Sequence, residues 1–273
     1  LARLKNGKIT SQFNFENPDE FIFSIFRDRS GRLWFPSDGS GLFCLDGDKF
    51  VQYTVEDGLA GNFVRSTSED SKGRIWISTR TGLSVWNDGV FKNYFVKDGL
   101  PHNFIRYVFE DRDQKIWIAT YGGGLVRWDT GGFKIFDTSN GFPNDFVRVI
   151  YQDSKGVLWF GTRTGVVRLL NRTGTETFSS ILLEKKTGYT LVNWFHEDSE
   201  GNMWVGTESK GLFCLKDSSI RSFTQKHGLS DGTAWCVFRD RDGTMWAGMR
   251  NGLYRYDGKN FAPFFLEDKS LSY

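Results

Sequence analysis

Side chains able to recognise a ligand recur at two positions of this 273-residue chain instead of gathering in one catalytic cluster. One position reads Asp38, Arg80, Tyr121, Arg163, Glu208 and Arg250; the other reads Phe23, Arg65, Arg106, Arg148, Asn193 and Trp235. Arginine presents a rigid planar fork of N–H donors suited to carboxylate or sulfate, and aromatic rings stack on sugar faces. Arg65, Arg80, Arg106, Tyr121, Arg148, Arg163, Trp235 and Arg250 are therefore the candidate ligand-binding residues, for an anionic small ligand such as an acidic saccharide. A plainer reading has the same arginines pairing with neighbouring acids or lining a solvated channel.

Other chemistries lack their residues. His102, His196 and His227 are the only histidines and no HxxxH or HExxH spacing occurs, so neither a metal site nor a cofactor is expected. The acidic pairs Glu69/Asp70, Glu110/Asp111 and Glu197/Asp198 recur along the chain, which suits turn capping, whereas a general acid and base are needed once. Asp240 to Gly243 opens like a calcium loop but lacks the further acidic ligands and closing Glu, and reads as a hairpin turn. No catalytic residue is assigned.

The elements that carry these positions are set by a repeat. Trp34, Trp76, Trp117, Trp159, Trp204 and Trp246 are spaced by 42, 41, 42, 45 and 42 residues. Each follows an aspartate by six positions: Asp28, Asp70, Asp111, Asp153, Asp198 and Asp240. Glycine lies midway in five copies, and Gln114 stands there in the sixth, giving D-x-x-G-x-x-W. That spacing describes a hairpin turn in which Asp caps backbone N–H groups and Gly takes a positive φ.

Within one copy, NFIRYVFED, KIWIAT, GLVRWD and GFKIFD read as four short strands, rich in β-branched and aromatic residues and bounded by Gly, Asp or Asn. A four-stranded antiparallel meander has two apolar faces and buries neither alone, so copies must stack face to face. The fold class expected is all-β, a β-propeller of four-stranded blades occupying residues 1–273 as one domain. The tryptophans, placed alike in every copy, are assigned to its core. Residues 1–13 match only the third and fourth strands, and the tail LEDKSLSY resembles the start of another inter-blade loop. The expectation is a fragment of a longer chain, with six complete repeats, half of another, and a seven-bladed ring in the parent.

Strand parity then places the D-x-x-G turns on one face of the propeller. The inter-blade DGL loops and the loops after the second strands share the other, where both variable positions lie. Six arginines are thus expected to converge on one mouth of the central channel, with Tyr121 and Trp235 among them.

Bulk composition narrows the partners. The chain has 35 basic and 33 acidic residues, net +2, which excludes nucleic acid or anionic membrane as a partner attracted by overall charge. No apolar run approaches the roughly 18 residues of a membrane helix, and the first residues form neither a signal nor a transit peptide, so a soluble chain without direct membrane contact is expected. Cys44, Cys214 and Cys236 show no CxxC pair; Cys44 and Cys214 occupy the same position of different copies, too far apart to bridge, and are expected as buried free thiols. Asn171-Arg172-Thr173 is a glycosylation sequon only along a eukaryotic secretory route, and the longer spacing around LLEKKTGYT marks an altered linker.

The segment DGLPHNFIRYVFEDRDQKIWIATYGGGLVRWD resembles the repeat of the two-component regulator propeller family, and the pattern covers nearly the whole chain. It is clearest around Trp76, Trp117 and Trp159, and weaker around Trp34 and Trp204, where GL-x-x-N is lost. The Gly-His and Trp-Asp marks of WD40 repeats and the Gly-Gly doublet of kelch repeats are missing. The resemblance implies the periplasmic or extracellular sensor region of an inner-membrane receptor. Such receptors end in a cytoplasmic histidine kinase, hybrid kinase or diguanylate cyclase, usually signal as homodimers, and in some cases sense polysaccharide fragments. A protein-interaction scaffold would use the same loops. A propeller glycosidase or polysaccharide lyase would need an asymmetric acid, base and Tyr or His cluster, for which the loops offer Asp38, Glu208 and Tyr121 with no motif joining them.

Overall fold

The computed structural model describes residues 2–5, 8–12, 20–129, 132–171, 175–184, 189–217, 219–230 and 232–264. The sequon residues Arg172 and Thr173, residues 185–188 of the LLEKKTGYT linker, and the tail after Phe264 lie outside the described residues.

The chain divides into two compact units, residues 1–108 and 109–273. The first holds a two-stranded antiparallel hairpin, Ala2–Lys5 with Lys8–Gln12, followed by two four-stranded sheets. Sheet one runs through Phe26–Arg27, Leu33–Pro36, Leu42–Asp46 and Lys49–Tyr53, and sheet two through Val64–Glu69, Ile75–Thr79, Leu83–Asn87 and Val90–Tyr94. The boundary falls within Ile105–Glu110, the first strand of sheet three, which continues through Ile116–Thr120, Leu125–Asp129 and Gly132–Phe136. Sheet four comprises Val147–Gln152, Leu158–Thr162, Gly165–Asn171 and Thr177–Ile181. Sheet five comprises Val192–Glu197, Met203–Thr207, Leu212–Lys216 and Ser219–Phe223, and sheet six Ala234–Arg239, Met245–Met249, Gly252–Tyr256 and Phe261–Phe264. In every sheet consecutive strands are neighbours, so each repeat is the expected antiparallel meander.

The D-x-x-G-x-x-W spacing does more than turn the chain. One carboxylate oxygen of each aspartate accepts the indole N–H of the tryptophan six residues on, at 2.7–2.9 Å in all six copies. The other oxygen accepts backbone N–H groups of the turn, such as those of Lys72 and Arg74 on Asp70, both at 3.0 Å. Burial of Asp28 pushes its carboxyl pKa up, but hydrogen bonds from Trp34 and Arg32 outweigh it and hold the group below its ordinary value. Where glycine is replaced, Gln114 itself adopts φ 60°, the left-handed conformation that costs an L side chain.

Trp34, Trp117, Trp159 and Trp204 pack between successive sheets. Trp34, Leu42 and Cys44 of sheet one meet Ile75, Ile77 and Trp86 of sheet two, and Trp34 meets the Trp86 ring edge-on at 5.4 Å. In the second unit, Trp159 and Val166 pack on Phe195, Val205 and Phe213, and Trp204 and Leu212 on Val237 and Met245. Five of the six are buried; Trp246 is half-buried against Phe264. The turns also grip the next sheet: the N–H groups of Arg29, Arg112 and Ser154 donate to the side chains of Glu69, Gln152 and Glu197. In this way Glu69 and Glu197, each beside a turn aspartate, cap the preceding repeat's turn.

The DGL-x-x-N loops form 3-10 turns. Val55–Asp57 is capped by Thr54 and Asp57, closes on Gly58 at φ 101°, and buries Leu59. Asn62 reaches back to accept the Val55 N–H at 2.9 Å, and Asn103 and Asp145 do the same for Val96 and Thr138. His227 replaces the capping acid, accepting the Thr224 N–H on Nδ1. Cys44 is buried and Cys214 and Cys236 half-buried, all three free; burial pushes the Cys44 thiol up to about 12 and that of Cys214 to about 11. Among the described residues no helix is long and apolar enough to cross a membrane.

Candidate functional site

Both variable positions are placed by the same backbone device. The first strand of sheets two, four, five and six carries a bulge, and the extra residues are Arg65, Arg148, Asn193 and Trp235. A bulge re-aims the side chain it carries away from the regular alternation of the strand. The residue after the second strand sits beside it, because its N–H bonds the carbonyl two positions before the bulge. Arg80 bonds Phe63, Arg163 bonds Phe146, Glu208 bonds Leu191 and Arg250 bonds Thr233, at 2.9–3.2 Å.

In the first unit these residues form one group. Arg65 and Arg80 share Asp38, with nitrogen–oxygen distances of 4.0 and 3.1 Å. The Arg65 guanidinium lies over Phe23 at 4.3 Å and Phe104 at 5.8 Å, Arg80 over Phe63 at 4.6 Å, and Arg106 over Phe104 at 5.7 Å. Flat guanidinium groups on aromatic faces are held in place while their N–H edges stay available.

The second unit holds the other five candidates in two groups. Arg163 is flanked by Tyr189 at 4.5 Å and Phe146 at 4.9 Å, and Tyr121 meets Phe146 edge-on at 5.0 Å. Among the described residues no carboxylate pairs with Arg163. Arg148, by contrast, pairs with Glu208 at 2.9 Å and reaches the Trp235 ring at 5.8 Å. Arg250 is tied to the same loop through its backbone bond to Thr233, whose hydroxyl donates to the Glu208 carbonyl. The pairing of arginines with neighbouring acids thus holds for Arg65, Arg80 and Arg148 and, among the described residues, not for Arg163.

Reading the sequence missed Phe63, Phe104 and Phe146 as partners of the arginines, although NFVR, NFIR and DFVR place a phenylalanine two residues before three of them. Tyr189, in the altered linker, was also missed. Among the described residues no three His, Cys, Asp or Glu side chains group as a metal site would require.

Stacked four-stranded meanders, each with an Asp–Trp bond across its first turn and carrying variable side chains on bulges and loops, define a repeat-built β-propeller. A model described as two component regulator propeller matches residues 58–81, 99–122, 141–164, 188–209 and 228–251, and the chain belongs to that family. Of the two copies that lack GL-x-x-N, the one around Trp204 is matched and the one around Trp34 is not.

No curated protein matches the chain in sequence. Among solved structures it is similar to the extracellular domain assigned to a hybrid two component system, BT3049, from B. thetaiotaomicron. The identity is 25% and the TM-score 0.75, over 92% of this chain and 35% of that one, so the chain spans about a third of its length. It also shares its fold with virginiamycin B lyase from Staphylococcus aureus, at 16% identity and TM-score 0.73 over 94% and 88% of the two chains. A third similar structure is the extracellular domain assigned to a one component system, BT4673, from B. thetaiotaomicron. There the identity is 20% and the TM-score 0.59, over 94% and 44%.

Proposed function

We propose that this chain is the ligand-sensing propeller of a bacterial signalling receptor of the hybrid histidine kinase type. It faces the periplasm or the exterior and binds an anionic small ligand, an acidic saccharide above all, without transforming it. Family membership supports the sensor role, and the similarity to an extracellular domain assigned to a hybrid two component system supports the location. The observation that carries the ligand class is Arg163, a guanidinium stacked between Phe146 and Tyr189 with no carboxylate partner among the described residues. Such a group is held in position for an incoming anion. In the parent receptor we take the module to act as a homodimer.

The enzyme reading has less support. Its candidate acids, Asp38 and Glu208, lie in different units and each is engaged by arginine, which suits holding a guanidinium more than moving a proton. The likeness to a lyase is one of fold.

A thermal-shift screen of the chain against uronate-bearing, sulfated and neutral oligosaccharides tests the proposal. Ligand at a hundred times its Kd stabilises the folded state by about 2.7 kcal/mol. A saturable shift that is larger for the acidic than for the neutral oligosaccharides, and that Arg163→Gln lowers to the neutral level, is expected. An undiminished preference for the acidic forms in Arg163→Gln overturns the role of Arg163, and no shift with any saccharide favours a protein-interaction scaffold.

A further inference from the structure

The five candidates of the second unit do not form one cationic patch. Arg148 is neutralised: its Nη1 lies 2.9 Å from Glu208 Oε2, leaving guanidinium donors and a carboxylate acceptor side by side. Above them Trp235, 45% exposed, offers a ring face 5.8 Å from the Arg148 guanidinium. Arg148 reaches that ring from the first strand of sheet four, although the first strand of sheet five intervenes. It can do so because the bulge residue there is the small Asn193, which folds down at 8% exposure and donates its Nδ2–H to the Ala234 carbonyl at 3.0 Å. Asn193 Oδ1 is buried and accepts no hydrogen bond among the described residues. Paired donors and acceptors beside a half-exposed indole suit an uncharged ring with vicinal hydroxyls, each able to donate to Glu208 while accepting from Arg148. They do not suit an anion, which Glu208 would repel.

Arg163 is the opposite case. Among the described residues its guanidinium is flanked by Phe146 and Tyr189, the latter 68% exposed, with the edge-on Tyr121 beyond Phe146. A carboxylate or sulfate is the partner such a group lacks. Both groups belong to the same unit and are joined by backbone: Arg163 bonds the Phe146 carbonyl, and Phe146 precedes Arg148 by two residues.

We infer that the second unit divides its ligand between two subsites, a neutral-sugar subsite of Arg148, Glu208 and Trp235 and an acid subsite of Arg163 with Phe146 and Tyr189. The inference rests on the saccharide reading above and sharpens it. The ligand is an oligosaccharide of at least two units, one uncharged and one acidic, and Glu208 selects against a charge on the first.

The test uses oligosaccharide digests of pectin, glucuronoxylan and alginate, each intact and after carboxyl reduction, which converts uronates to neutral sugars and leaves the linkages unchanged. Affinities are measured by calorimetry for the unaltered chain, Arg163→Gln and Glu208→Gln, with far-UV circular dichroism as a control for folding. The unaltered chain should prefer the intact digest by roughly tenfold or more, the size of one charge-assisted pair. Arg163→Gln should bind intact and reduced forms alike, through loss of the intact form only. Glu208→Gln should weaken both by a similar factor and keep the preference. Equal weakening of intact and reduced forms by Arg163→Gln, or a lost preference in Glu208→Gln, overturns the two-subsite division while leaving saccharide sensing in place. Absence of binding to every digest by the unaltered chain overturns both.

Discussion

Replacing Asp70 by asparagine breaks the link that recurs in every repeat. Asp70 is 1% exposed, and its oxygens accept Trp76 Nε1 at 2.8 Å, Arg74 Nε at 2.6 Å and the backbone N–H groups of Lys72 and Arg74. Asparagine keeps one acceptor oxygen and turns an amide NH2 toward either the indole or the turn, so that donor faces donor. Breaking a buried charged pair costs about 3–5 kcal/mol. The Arg74 side chain is 29% exposed and can turn to water, which puts Asp70→Asn near the lower end, about 3 kcal/mol. Trp76→Phe keeps most of the packing and removes one donor from the carboxylate, at about 1–2 kcal/mol. If the indole and carboxylate act as a pair, the double variant should cost less than the sum by about 1–2 kcal/mol. Urea unfolding of the four proteins followed by far-UV circular dichroism measures the cycle. A coupling within about 0.3 kcal/mol of zero would mean that the spacing is a turn signal alone, with no Asp–Trp bond behind it.

Trp159→Ala, which empties a place between sheets four and five, should cost roughly 3–5 kcal/mol in the same assay, and a loss well under 1 would remove it from the core. Gln114→Gly relieves a left-handed residue and should raise stability by about 0.5–1 kcal/mol after the added freedom of the unfolded chain is set against it; a lower melting temperature would contradict this. Glu197→Ala should cost about 1 kcal/mol because Glu197 accepts both the N–H and the hydroxyl of Ser154, whereas Arg239→Ala, at the corresponding place in sheet six, should cost less than half as much. Burial holds the His196 imidazole below its ordinary 6.5, with Arg239 adding to the effect and Asp198 and Glu197 opposing it. The unfolded chain therefore takes up that proton first, and stability should fall as pH drops below about 6.5 until the folded state is protonated too. Melting temperatures from pH 7.5 to 5.5 should show a slope that His196→Gln flattens.

How much of this was legible in the sequence depends on whether the cause was local. The strand order followed from the tryptophan period, because a repeat of four short apolar runs can bury its faces only by stacking on its copies. Gln114 could be marked as the exception from its position alone. The Asp28–Trp34 bond and its five counterparts were not legible: the two residues face each other across a hairpin, and residue types do not say which carboxylate oxygen meets the indole. The bulges at Arg65 and Arg148 were hidden for a similar reason, since an extra residue in a strand is defined only by its partner strand. The arginine positions were found from their variation between copies. Whether an arginine is neutralised depends on a neighbouring repeat, as with Asp38 for Arg65 and Glu208 for Arg148, and that is a matter of packing.

The sensor reading is tested most directly by holding the chain at saturation with an oligosaccharide that shifts its melting temperature, then recovering the sugar and determining its length and reducing ends by mass spectrometry. Saturable binding with the oligosaccharide returned unchanged after prolonged incubation is the expected result. Shortened chains or unsaturated ends that accumulate with time would contradict it and make the chain an enzyme.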